Sequence, residues 1–330
     1  MKCVYSINPY ILAEKPSFSH RRDVAESSEL YCCFTWTFWL MFAIQMGCSG
    51  AYFTERGRNG TFWLMKNRLD GGKAFITGID SAIGGAIAKE LKQAGMKIAG
   101  THLPDVQADR SPRVLLHTDF LLSMDQTDVD SINDAVRVAR KRLGGLNVFV
   151  AVGSRQSPES FLETFPMEIA RQIDVNLKGN LLLVRAAAQA MIECRTEKPN
   201  EHYSIGLMGS IRGRHSLKFD AYEASKAGLH HMVAGLAAEF GEHGISINAV
   251  APGTVDCPIE WQRYGSEVDY RRVWSGATPL KRSDGSLATP EDVAETMAFL
   301  LNSGRITGET VVVDGGFNRK HPLPLDQHTS

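Results

Sequence analysis

Tyr222 and Lys226 stand four residues apart, and if Tyr222 opens a helix, that spacing stacks phenol and ammonium on one face about a turn apart. A cation held beside a phenol favours phenolate, drawing the Tyr pKa from about 10 toward the working pH and making Tyr222 a usable general acid or base. Ser210 ends the apolar run Ile205-Gly-Leu-Met-Gly-Ser210, which reads as a strand, and the Gly-containing loop after it is long enough to bring the chain back to Tyr222. Two hydroxyls converging on one point suit a carbonyl oxygen. Asn176 lies upstream in a long helical stretch. Taken alone, Tyr-x-x-x-Lys also fits a chance surface pair, so the surrounding elements must decide.

Those elements are regular from Gly72 onward. Lys73–Thr77 reads as a short apolar strand, residues 78–85 as a glycine turn, and Ile83, Ile87 and Leu91 as one face of a helix that Gly95 ends. Further strands are expected at 97–101, 114–117, 146–152, 205–210, 246–250 and 310–314. Helices are expected through Asp128 to Ala139, through Asn176 to Met191, from Tyr222 to Phe240, and from the cap Thr289-Pro-Glu-Asp292. Strands alternating with helices of this length specify an α/β fold with a doubly wound parallel sheet, whose ligand sits at the carboxyl ends of the strands. The run 257–285, rich in Trp, Tyr and Arg, shows no core face and reads as a flap. Its Trp261, Tyr264, Tyr270 and Trp274, with Arg263, Arg271 and Arg272, fit either an anionic or aromatic substrate or simple packing.

With 330 residues, 43% apolar, 22% charged and a net charge of −1, the composition is that of an ordinary globular protein, and nothing in it suggests a nucleic-acid or polyanionic partner. Four of the six cysteines (Cys3, Cys32, Cys33, Cys48) precede residue 49; Cys194 and Cys257 alone serve the rest, and none has metal-ligand spacing. The main domain therefore reads as cytoplasmic, without metal or disulfides. Residues 1–69 look foreign to the rest of the chain and are expected to be a leader, with the catalytic domain at 70–318 and a polar tail at 319–330. The charge-free run 30–53 is long enough for a membrane span but diluted by Cys, Thr, Ser, Gly and Gln. The leader is read as an extension before Met65, as a hydrophobic anchor that leaves the catalytic domain cytosolic, or as an ordered extra element.

In order along the chain, Thr77-Gly-Ile-Asp-Ser-Ala-Ile-Gly84, Asp125-Gln-Thr-Asp128, Asp174-Val-Asn-Leu-Lys-Gly179, Ser210, Tyr222-x-x-x-Lys226, Asn248-Ala-Val-Ala-Pro-Gly253 and Ile306-Thr-Gly with Val313-Asp-Gly-Gly316 together resemble the short-chain dehydrogenase/reductases. The resemblance implies a single-domain Rossmann oxidoreductase using NAD or NADP, with a tetrad of Asn176, Ser210, Tyr222 and Lys226. It implies reversible hydride transfer between nicotinamide and a carbonyl or secondary alcohol. Tyr222 would give the proton, Ser210 would hold the oxygen, and Lys226 would serve both phenol and ribose. Asn176 would hold a water that links Lys226 to solvent. The cofactor would contact Gly78, Asp80, Ser81, Ile83, Gly84, His102, Asp125, Gln126, Gly153, Pro252, Gly253 and Val255 besides Tyr222 and Lys226. A homo-oligomer, dimer or tetramer, is implied as well.

Besides Ala82, which takes the place of the middle glycine of the turn, three departures from the family pattern matter. Ala151-Val-Gly-Ser154 replaces its Asn-Asn-Ala-Gly, Cys257 replaces a threonine, and His102 stands where NAD-preferring members carry Asp, with Leu103 and Ser81 where NADP-preferring members put basic residues. Tolerance of both cofactors with a lean to NADP is expected. A non-enzymatic dinucleotide sensor of the same fold is the rival reading. An enoyl reductase is the other, although that branch spaces its Tyr and Lys more widely.

Overall fold

Alternation along Lys73–Thr77 (β1) sets up the layers: Ala74 and Ile76 join one apolar cluster and Phe75 the other, all fully buried. The neighbouring strand Val148–Ala151 (β4) repeats this, with Val148 and Val150 on the first side and Phe149 on the second. A strand buried on both faces needs helices on both. The computed structural model supplies them, describing residues 51–53, 64–104, 116–157, 159–216, 220–263, 265–280 and 286–319.

The chain divides into two units, Met1–Phe53 and Thr54–Ser330. Of the first, the strand Ala51–Phe53 is described. The apolar run 30–53 otherwise lies outside the described residues, as do the rest of the leader before Leu64 and the tail from 320. Among the described residues no helix is long and apolar enough to cross a membrane. In the second unit, after a short strand Leu64–Lys66, Asn67 and Arg68 already bond into the domain: Asn67 Nδ2 donates to Ala94 O at 3.1 Å and Arg68 N to Asn302 Oδ1 at 2.7 Å. Leu69 is buried.

The sheet is parallel throughout. Its strands are β1, Lys97–His102 (β2), Phe120–Ser123 (β3), β4, Tyr203–Met208 (β5), Ile245–Pro252 (β6) and Thr310–Val313 (β7), in the order β3-β2-β1-β4-β5-β6-β7. The order reverses between β1 and β4, which opens the crevice where a dinucleotide binds in such sheets. Ala82–Gln93 (α1) and Pro290–Asn302 (α8) cover one face; Val129–Leu143 (α2), Gly179–Glu197 (α4) and Ala221–Glu242 (α5) cover the other. Between β4 and α4 runs Pro166–Ile173 (α3), and between β6 and α8 lie Pro258–Arg263 (α6) and Glu267–Ser275 (α7). Helix α2 buries the predicted stripe Ile132, Ala135, Val136 and Ala139, and Thr289 and Asp292 form the predicted capping box of α8.

Two expectations fail. The third strand is Phe120–Ser123, not 114–117: Val114 and Leu115 lie outside the described residues, and Leu116 is 71% exposed. Asp119 decides the register, its Oδ2 accepting Ile98 N at 2.7 Å and Lys92 Nζ at 2.8 Å, so that Phe120 pairs with Ala99. The run from 257 also has a core face after all. Tyr270 on α7 is fully buried and donates its hydroxyl to Val255 O at 2.6 Å, and Asp256 accepts from Trp261 Nε1 at 2.6 Å and Arg271 Nε at 2.7 Å. Tyr264, the Arg263 side chain and residues 281–285 lie outside the described residues.

Candidate active site

Strand β5 stops at Met208, and Gly209 still donates to Val250 O at 2.7 Å, which carries the backbone straight to Ser210 at the carboxyl edge of the sheet. Ser210 is extended and buried, and its Oγ caps the single 3₁₀ turn Ile211–Gly213 by accepting Arg212 N at 3.2 Å. Helix α5 then starts at Ala221 because Asp220 caps it, its Oδ1 accepting Glu223 N at 2.9 Å. Tyr222 is therefore in the first turn, as the sequence predicts.

One turn on, Lys226 is 1% exposed and donates Nζ to Met208 O at 2.8 Å. That bond ties α5 to the end of the strand carrying Ser210. The Lys226 Nζ lies 5.5 Å from the centroid of the Tyr222 ring. Burial disfavours the charged ammonium and brings its pKa down to about 8. At neutral pH Lys226 stays charged and close to the phenol.

Asn176 occupies a five-residue π turn, Asp174–Lys178, between α3 and α4. Single π turns inside helices often mark functional positions. Asn176 is fully buried and both ends of its amide are engaged: Oδ1 accepts Arg155 N at 2.8 Å and Nδ2 donates to Arg155 O at 2.7 Å. Its backbone carbonyl accepts Asn180 Nδ2 at 2.8 Å.

The glycine turn after β1 is built for close approach. Gly78 has φ 63°, and a Cβ there would come within 2.8 Å of Gly153 N; one on Gly84 would come within 2.2 Å of Gly78 O. Ser81 caps α1, donating Oγ to Gly78 O at 2.8 Å and accepting Gly84 N at 3.0 Å. A cradle that side chains would fill, opening on a helix amino terminus at the switch point of the sheet, fits a pyrophosphate. Asp80 is exposed and Ile83 half-buried on the same turn.

The remaining expected cofactor residues line neighbouring strand ends. His102 ends β2 with Nδ1 2.8 Å from Leu103 O. Asp125 turns its Oδ1 inward to Thr127 N at 2.8 Å and Thr127 Oγ1 at 2.7 Å. Gln126, expected at the cofactor, is buried and spends its Nε2 on Val175 O at 2.8 Å and Gly153 O at 3.4 Å. It thereby links the departing loop 151–154 to the π turn of Asn176. Pro252 ends β6, Gly253 N donates to Val313 O at 2.9 Å, and Val255 is buried beside Cys257, whose thiol burial pushes up. Cys194 and Cys257 are free and buried, and no group of His, Cys, Asp or Glu among the described residues is placed to hold a metal.

His230 escaped the sequence reading. It sits one turn beyond Lys226, and its Nε2 accepts Ser210 N at 3.4 Å. Burial, with Arg214 and Lys226 nearby, brings its pKa down to about 4. The ring is neutral at working pH, which keeps the Nε2 lone pair available to Ser210. Its spacing from Lys226 was the one available signal.

A family model described as enoyl-(acyl carrier protein) reductase matches residues 78–318. A short-chain dehydrogenase/reductase of Armillaria gallica is 30% identical over 254 residues, covering 74% of this chain and 94% of the relative. The chain belongs to the short-chain dehydrogenase/reductases. The human (3R)-3-hydroxyacyl-CoA dehydrogenase is 31% identical over 273 residues, covering 76% of this chain and 97% of its own length. A solved short-chain dehydrogenase/reductase from Serratia marcescens superposes with TM-score 0.64 at 25% identity, covering 76% and 99%. Relatives of this similarity are named as dehydrogenases, and this short-chain dehydrogenase/reductase is an NAD(P)-dependent oxidoreductase that interconverts a carbonyl and an alcohol.

Proposed function

We propose that this protein reduces a carbonyl, or oxidises the matching secondary alcohol, with Tyr222 as proton donor and acceptor. Bound NAD(P)H supplies the hydride. The observation that carries this reading is Lys226: a buried ammonium, tied to Met208 O at 2.8 Å and 5.5 Å from the Tyr222 ring, is costly to keep unless its charge serves the phenol. Ser210 orients the substrate oxygen, and Lys226 also reaches the ribose. Asn176 clamps the loop at Arg155 and, as the family resemblance implies, holds the water that links Lys226 to solvent and refills the proton.

A cavity of about 210 Å³ lined by Arg155, Gln156, Ser157, Glu159, Phe165 and Glu168 adjoins that clamped loop and is the candidate substrate entrance. Arg155 binds Glu168 through Nε at 2.7 Å and Nη2 at 2.7 Å, which holds the Glu168 carboxyl below its usual range. Purified protein should consume NADH or NADPH with a member of a panel of ketones, sugars and acyl thioesters. Cofactor binding without turnover on any of them would favour the dinucleotide-sensor reading. Turnover restricted to enoyl thioesters would favour the enoyl reductase.

Cofactor choice rests on His102, which neither accepts from a ribose as a carboxylate does nor repels a 2′-phosphate strongly. Both cofactors are used, with a lean to NADP, and His102→Asp shifts the ratio of kcat/KM values toward NAD. Strict NAD use by the parent protein would refute the lean.

A dimer or tetramer is proposed, with the domain in the cytoplasm and residues 1–64 outside the working fold. The fragment 65–330 keeps Asn67, Arg68 and Leu69, which bond or pack on the domain. It is expected to be soluble and as active as the full chain. If 30–53 anchors the protein, the full chain fractionates with membranes and the fragment does not. Misfolding of the fragment would show that the leader packs as part of the domain.

A further inference from the structure

Arg212 lies two residues beyond Ser210 and ten before Tyr222, and it touches both. Its backbone N–H donates to Ser210 Oγ at 3.2 Å, and its guanidinium carbon sits 5.2 Å from the Tyr222 ring centroid. The same guanidinium donates Nη2 to Asp220 Oδ2 at 2.7 Å and Nε to Glu223 Oε1 at 3.0 Å, the residues that flank Tyr222 at the start of α5. All three side chains are sequestered, with 14%, 8% and 4% of their surface exposed for Arg212, Asp220 and Glu223. Asp220 also caps the helix, and Glu223 accepts Ser216 Oγ at 2.8 Å.

We propose that Arg212 is a positioning residue that locks the Ser210 turn to the first turn of the Tyr222 helix, holding the two hydroxyls in one register. This rests on the functional reading above for its consequence on rate, though not for the lock itself. Buried ion clusters seldom add stability over apolar packing, so one retained at this junction points to a geometric role. A planar fork can hold two carboxylates in fixed directions, whereas an ammonium acts as a point charge and cannot. Without the fork, the turn Ile211–Gly213 loses its side-chain tie to the first turn of α5, and the bonds of Lys226 to Met208 O and of His230 to Ser210 N, one and two turns further along the helix, are left to hold the two elements together. A misplacement near 1 Å costs on the order of 10²-fold in rate.

Removing Arg212 alone strands two buried carboxylates, so the test uses two variants. Arg212→Lys preserves the charge balance. Arg212→Met with Asp220→Asn and Glu223→Gln removes all the charge while keeping an amide cap on α5 and an amide acceptor for Ser216. Both are expected to keep the parent's cofactor Kd and to lose kcat on the order of 10²-fold. In both, amide hydrogen exchange should quicken at residues 209–226 while the rest of the sheet keeps its protection. Parent-like exchange in that segment, in either variant that folds, overturns the lock whether or not a substrate is known. Parent-like kcat alongside an active parent overturns it too. An inactive parent with quickened exchange in the variants would leave the lock standing and count against the proposed reaction instead.

Discussion

Tyr222→Phe binds cofactor as the parent does and turns over at least about 10²-fold more slowly, since general acid–base assistance contributes roughly 10²–10⁴-fold. The ring is held by contacts that do not need the hydroxyl: Arg212 lies 5.2 Å and Lys226 Nζ 5.5 Å from its centroid, and helix α5 is set by its Asp220 cap. Only the proton donor is removed. Cofactor Kd from fluorescence titration and kcat from cofactor consumption separate the two effects. A variant that keeps more than about a tenth of the rate shows that another group delivers the proton.

The sheet and its helices were legible because each buried stripe repeats with its own period, as Ile132, Ala135, Val136 and Ala139 do on α2. The third strand was not. Two short apolar runs, 114–117 and 120–123, stand side by side, and the choice falls to Asp119 bonding Ile98 and Lys92, a contact that periodicity does not encode. At the site, the spacing of Tyr222 and Lys226 was readable because helix geometry converts it directly into proximity. Gln126, His230 and Arg212 act instead on backbone groups or on residues brought close by the fold, as with Gln126 on Val175 O and His230 on Ser210 N. Apart from the one-turn spacing of His230 from Lys226, nothing in their positions along the chain announces such partners. The run after Cys257 hid its core face for the opposite reason: Trp261 and Arg271 converge on Asp256, and Tyr270 on Val255 O, so much of a surface-like composition is spent on internal bonds, as the packing alternative had it.

Lys226→Met separates stability from function, in opposite directions. Burial brings the Lys226 pKa from its ordinary 10.5 to about 8, so between those values the unfolded chain holds more proton than the native one. Stability therefore rises with pH across that window and lacks the gain below about pH 8. At neutral pH the native protein carries a buried charge at a cost on the order of 3 kcal/mol. Methionine fills similar space without the charge. The change removes the donor from Met208 O, a loss of about 1–3 kcal/mol, so the variant is expected to melt at or above the parent's temperature at pH 7. Turnover should nevertheless collapse and cofactor affinity fall, because one ammonium serves both phenol and ribose. The alcohol-oxidation optimum should move to higher pH, since without the cation the phenolate forms only at higher pH. Melting curves, cofactor titration and a pH profile read these effects independently. A normal cofactor Kd with an unchanged pH profile would show that the Lys226 charge serves neither partner, and a large fall in melting temperature would show that the buried ammonium is retained for the fold.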